Sequence, residues 1–233
     1  MLKIQCIHYF FSIFVGIIKV NRHNIQKYLY YCRHSMFGFN LPISRQYIVP
    51  PIVLATIATL LMAFDMRDTL EFHRQLISEG QVWRIWSSQY IHTNWTHLAL
   101  NLVGILFIWV LHAEHTSIRR YFIHVLFLGL WTGIGIWLFC PDIRVYTGLS
   151  GLLHGIIVWG ALKDIQVKEP TGILLFLGIA GKLAWEQYAG PSADVGNLID
   201  SRVAIESHLI GAIGGLVLAL PLFKDKLGFT VKQ

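Results

Sequence analysis

Apolar and polar positions in this chain do not alternate; they come in blocks. From residue 47 onward, long apolar runs are separated by short charged or glycine-rich stretches. Six blocks run approximately Tyr47–Phe64, Trp95–Leu111, Tyr121–Phe139, Thr147–Leu162, Gly172–Tyr188 and Ala204–Phe223. At about 1.5 Å per residue, each approaches the length needed to cross a hydrocarbon core of ~30 Å. The pattern therefore predicts an all-α polytopic membrane protein whose core, residues 46–223, is a bundle of six spans. The fourth block is the shortest, and Gly148 and Gly151 stand at its start. A short, glycine-rich helix start at membrane depth is tolerated only where it is buried or lines a water-filled cavity.

Ahead of the core, Ile4–Val20 is a further apolar run, with Lys19, Arg22 and Lys27 at and after its end. It lacks the small-residue cleavage site of a signal peptide. Residues 1–45 are read as a peripheral extension, with an extra hydrophobic segment or a start at Met36 as alternatives. Residues 224–233 form a basic tail.

With 55% hydrophobic and 14% charged residues among 233, one membrane domain is the simplest account. The net charge of +6 would suit nucleic acid or anionic lipid, and the placement of the charges favours lipid. If the segment before the first span is cytoplasmic, only Arg67, Arg74, Arg84, Arg144 and Arg202 of the 19 lysines and arginines fall on the opposite side. Lys182 lies inside the fifth span, and the rest face the cytoplasm. Both ends of the core are then cytoplasmic, and no nucleic-acid partner is expected. Cys6, Cys32 and Cys140 form no CxxC pair and no metal spacing. The long first loop, Asp65 to Asn94, carries Val82-Trp83-Arg84-Ile85-Trp86, which predicts an interfacial segment lying at the headgroups.

Ionisable residues inside spans are the candidates for chemistry. Ser150 opens the fourth span, where free backbone N–H groups and the positive end of the helix dipole favour an anion. Alone, Gly148-Leu149-Ser150-Gly151 also fits a helix cap beside packing glycines. His208 lies at the same depth in the sixth span. Gly151 and Gly155 follow the serine, and Gly211 and Gly215 follow the histidine, at small-xxx-small spacing that lets two helices touch. Packing these faces together sets Ser150 opposite His208, a Ser–His dyad without a third acid. His97 and Asn101, spaced i, i+4, share one helix face and can both donate to an oxyanion. His92 is read as structural, and His154, one turn below Ser150, as a packing residue or one that supports the catalytic groups from behind, with an alternative base as the sharper reading. Lys182 and Glu186, also i, i+4, are read as an ion pair near the outer interface, with a gate or substrate-recognition feature as the sharper alternative.

Together these residues resemble the rhomboid family of intramembrane serine proteases. The matching pieces are Trp83-Arg84, His97-xxx-Asn101, Gly148-x-Ser150-Gly151, and His208 with Gly211. The resemblance implies Ser150 as nucleophile, His208 as base, and His97 and Asn101 with the Ser150 N–H as oxyanion donors. His92 to His97, Tyr146 to Gly151 with His154, and Lys182 to Gln187 further resemble the rhombosortase branch. That branch implies a bacterial inner-membrane enzyme that cuts membrane-anchored proteins near the outer face, at a C-terminal Gly-Gly sorting tail followed by a transmembrane helix. No cofactor or metal is expected. Two other classes compete. A catalytically silent rhomboid-like protein that holds membrane helices would typically lack the serine or the histidine. An intramembrane metal or haem protein using His92, His97, His154 and His208 finds no HExxH and no carboxylate placed beside those histidines in sequence.

Overall fold

The computed structural model describes residues 35–36 and 39–221. The Ile4–Val20 run, Cys6, Cys32 and the 224–233 tail lie outside the described residues. The chain divides into two units at residues 43 and 44. In the first, β1 (Ser35–Met36) pairs antiparallel with β2 (Phe39–Asn40).

The second unit is helical. Its long helices are α1 (Arg45–Ala63), α5 (Trp95–His112), α6 (Ile118–Phe139), α7 (Ser150–Gln166), α8 (Thr171–Ala189) and α10 (Ile205–Ala219). Each overlies one of the apolar blocks. Three of them, α1, α5 with the turn that follows it, and α6, are long and apolar enough by themselves to cross a membrane. The others fall short for visible reasons. α7 has 17 residues and α10 has 15, while α8 carries Lys182 and Glu186.

Burial ranks these helices. α7 is buried on every side, through Leu152, Leu153, Ile156, Val158, Trp159 and Ala161, and packs on α5, α6, α8 and α10. A helix apolar all round belongs at the centre. α8 buries only Gly172 and Leu183. Outer faces carry Ile52, Leu60, Phe107, Leu138, Leu174 and Leu177, all exposed. Leaving such side chains in water forgoes ~25 cal/mol per Å² of apolar surface, and hydrocarbon removes that cost. The protein is a membrane protein.

The closest approach is between α7 and α10. A Cβ added at Gly211 would lie 1.8 Å from the Gly151 carbonyl oxygen, and one at Gly215 would lie 2.2 Å from that of Gly155. Only hydrogens fit there, so the two glycine pairs fix the spacing of the helices that carry Ser150 and His208. At the far end of α7, Asp164 accepts from His112 (3.2 Å) and His115 (2.5 Å), fastening α7 to the end of α5.

The first loop folds into short pieces: α2 (Arg67–Leu70), β3 (Phe72–His73), α3 (Arg74–Ser78) and α4 (Arg84–Ser87). Trp83 is half-exposed, but Arg84 is buried. It turns inward and donates to the carbonyls of Asp68 and Glu71 (both 2.9 Å) and to Gln81 Oε1 (2.8 Å). The guanidinium cross-links the loop rather than meeting lipid headgroups. Arg74 does the same at the end of α6, donating to the carbonyls of Ile136, Trp137 and Cys140. β3 pairs with β4 (Val145–Tyr146), so the loop holds the segment that leads into Ser150.

Candidate active site

Three elements meet at Ser150. The first is the turn before α7. Gly148 has φ of 122°, a conformation that favours glycine, and its N–H donates to the Ser88 carbonyl (3.1 Å). The buried Tyr146 hydroxyl donates to the Gly148 carbonyl (2.8 Å). Burial pushes the Tyr146 phenol up to about 12, so it remains a neutral donor. The turn is thus held from both sides, and α7 begins at Ser150.

The second element is the start of α5. Asn94 caps it, accepting from His97 N–H (2.8 Å), and donates to the Leu198 carbonyl (3.0 Å) and to Asp200 Oδ2 (2.8 Å). Thr93 donates its hydroxyl proton to the Ile199 carbonyl, and its Oγ1 lies 3.0 Å from His97 Nδ1. The loop after α9 (Ala193–Leu198) is therefore pinned over the site by the residues that orient His97. His97 Nε2 points the other way, 2.8 Å from where a Cβ on Gly148 would stand; Asn101 Nδ2 is 3.9 Å from the same point. Asn101 spends one amide proton on the His97 carbonyl (3.1 Å). The missing side chain at Gly148 leaves a space faced by both groups. His92, buried behind them, packs edge-on against His97 with centroids 5.0 Å apart.

The third element is α10. His208 Nε2 lies 3.1 Å from Ser150 Oγ. These groups line one cavity of about 430 Å³, with Leu100, Phe107, Leu153, Ile157 and Val203 as its apolar walls. A serine hydroxyl within hydrogen-bond reach of an imidazole, at a helix N-terminus and inside an apolar cavity, is the arrangement an activated nucleophile requires.

The Rhomboid domain family model matches residues 79–225. The chain belongs to the rhomboid family. Rhomboid proteins are generally intramembrane serine proteases, and the matched residues include every group just described. No curated protein matches the chain.

One sequence expectation fails at this site. His208 does face an acid: Glu186 on α8 reaches its Nδ1 with Oε2 at 3.0 Å and Oε1 at 3.1 Å. Glu186 keeps the expected pairing with Lys182 (2.8 Å) as well. The i, i+4 spacing revealed that pair, but α10 as a third partner is a tertiary fact. His154 touches His208 directly. Its ring stacks on His208, centroids 4.1 Å apart and 18° from parallel. Ligand atoms of His154, Glu186 and His208 lie within 4.8 Å of one another, a spacing that a metal ion could use.

Proposed function

We propose that this rhomboid protein is a serine endopeptidase that cuts membrane-anchored proteins within the bilayer. Its substrates carry a C-terminal Gly-Gly type sorting tail, as in rhombosortases. The observation that supports this reading best is the 3.1 Å contact between Ser150 Oγ and His208 Nε2 inside an apolar cavity. Such walls suit a transmembrane tail, and glycines at the cut would fit close against Ser150 because they add no side-chain bulk.

In the proposed reaction, His208 Nε2 takes the Ser150 proton while Oγ attacks the substrate carbonyl carbon. The carbonyl electron pair moves onto oxygen, which accepts from the Ser150 N–H and Asn101 Nδ2–H, and from His97 Nε2–H in the tautomer whose Nδ1 accepts from the Thr93 N–H (3.5 Å). The C–N bond then breaks, the leaving amine takes the proton from His208, and an acyl-enzyme remains for water or an amine acceptor. We place the protein in a bacterial inner membrane, with both ends of its core cytoplasmic and Ser150 toward the outer side.

The test is co-expression with a Gly-Gly-tailed, single-span substrate. Ser150→Ala and His208→Ala should each abolish processing while the protein still accumulates in the membrane. The double variant should lose no more than either single one, because the two act as a unit. Chelators should leave the native activity intact. Near-native cleavage by either variant, or activity lost to a chelator and restored by zinc, would overturn the assignment. A native protein that binds the substrate without cutting it would favour a silent helix-holding role instead.

A further inference from the structure

Ser150 and four side chains around it form a closed ring of hydrogen bonds, and the chemistry of each partner assigns its protons. The ring begins at the Ser150 carbonyl, which can only accept. His154 Nδ1, 2.7 Å away, therefore carries a proton. The other ring nitrogen of neutral His154, Nε2, accepts from Lys182 Nζ at 2.7 Å. The same ammonium donates to Glu186 Oε1 at 2.8 Å. Glu186 turns both oxygens to His208 Nδ1. A carboxylate accepts, so that nitrogen holds its proton and Nε2 is left bare, facing Ser150 Oγ at 3.1 Å. Lys182 Nζ also lies 3.4 Å from His208 Nδ1, but a protonated Nδ1 has nothing to accept with.

We propose that Glu186 is a positioning residue that holds His208 in the one tautomer able to take the Ser150 proton, and that Lys182, moored to His154, holds Glu186. This rests on the reading of Ser150 as nucleophile. During attack, the Oγ–H proton moves to His208 Nε2 as the Oγ–C bond forms. The imidazolium keeps its Nδ1–H bonded to Glu186, which stays ionised. When the C–N bond breaks, the Nε2 proton leaves with the amine, and the ring returns to its starting state. Glu186 gains no proton at any step, and its charge lies beside the imidazolium only while that cation exists.

A second observation separates this role from a plain surface ion pair. Lys182 is half-exposed, whereas the Glu186 carboxylate is mostly covered and both its oxygens face His208. A carboxylate needed only as a counter-ion to Lys182 has no reason to aim both oxygens at a histidine. The stacked His154 ring further restricts rotation of His208.

The test uses the full chain in lipid nanodiscs and a fluorophosphonate that labels Ser150. The labelling rate at saturation is read separately from the half-saturating concentration, and thermal melting is read on the same preparations. Glu186→Gln keeps the shape, but its amide can donate to Nδ1 and favour the wrong tautomer. Its saturating rate should fall by about 10²–10⁴-fold, with half-saturation changed by less than about twofold and melting near native. Lys182→Met should slow labelling less. Adding it to Glu186→Gln should cost little more, because the lysine acts through the carboxylate. That double variant leaves no unpaired ion, so it stands in if Glu186→Gln alone does not fold. A native rate in the foldable variant, or a loss confined to melting, would overturn the role of Glu186. If the native protein itself is never labelled at Ser150, the nucleophile reading falls as well, and the two failures are thereby distinct.

Discussion

At the scale of single residues, the proposed oxyanion donors carry the sharpest expectation. Asn101→Ala should lower kcat by about 10²–10³-fold with KM nearly unchanged, since such donors act on the transition state. His97→Ala should behave similarly, and the pair should lose less than the sum if both serve one oxygen. A drop in melting temperature with kcat intact would instead make Asn101 a helix-joining residue. His92 answers a different question. Burial, and then His97 beside it, lowers its pKa from the usual 6.5 to about 3. The folded protein keeps His92 neutral while the unfolded chain protonates it, so it contributes stability above about pH 6.5 that is lost as pH falls toward 3. Between those values the melting temperature of His92→Asn should fall less steeply with acid than that of the native protein. Equal slopes would show that His92 is not part of the acid response. Ser150, His208, His97 and Asn101 were legible in the sequence because polar residues stand out in apolar blocks. Glu186 was not, because its spacing to Lys182 already explained it locally. Its approach to His208 depends on how α8 leans on α10, which no i, i+4 rule contains.

At the scale of elements, each apolar block is overlain by a long helix among the described residues; the fifth block, Gly172–Tyr188, became Thr171–Ala189. Helix ends moved because caps, not hydropathy, set them. Asn94 starts α5, and the glycine turn at Gly148 delays α7 to Ser150. The first loop was least legible. Its Trp and Arg residues signal an interface, but the carbonyls of residues 68 and 71 that collect Arg84 belong to a fold visible only in three dimensions. The α7–α10 contact makes a direct prediction. Gly211→Ala places a methyl group against the Gly151 backbone, an overpacking that costs about 1–3 kcal/mol and pushes Ser150 away from His208. Its melting temperature and its fluorophosphonate labelling should both fall. Gly178→Ala on α8, where an added Cβ meets nothing within 4 Å, should leave both near native or slightly improve stability. If the two variants behave alike, the glycine faces do not set the helix spacing.

At the scale of the whole molecule, the bias of lysine and arginine supports the proposed orientation of the core. With native cysteines replaced, Ser117→Cys between α5 and α6 should be protected from a membrane-impermeant maleimide in intact cells. Asp142→Cys between α6 and β4 should be labelled. The reverse pattern would invert the proposed topology. The 17 residues of α7 rise only about 25 Å, against a hydrocarbon thickness of roughly 30 Å. In the proposed topology Lys163, in its last turn, sits at the cytoplasmic interface, and Ser150, about 20 Å up the helix from it, stops about 10 Å short of the opposite one. The helix therefore acts as a depth gauge. It fixes the distance of the proposed nucleophile from one face of the bilayer, while a substrate anchored from the other face would bring its scissile bond to a depth of its own. Lengthening the lipid acyl chains should separate the two depths. Turnover would then decline, or the cut would move along the substrate, without any change to the protein.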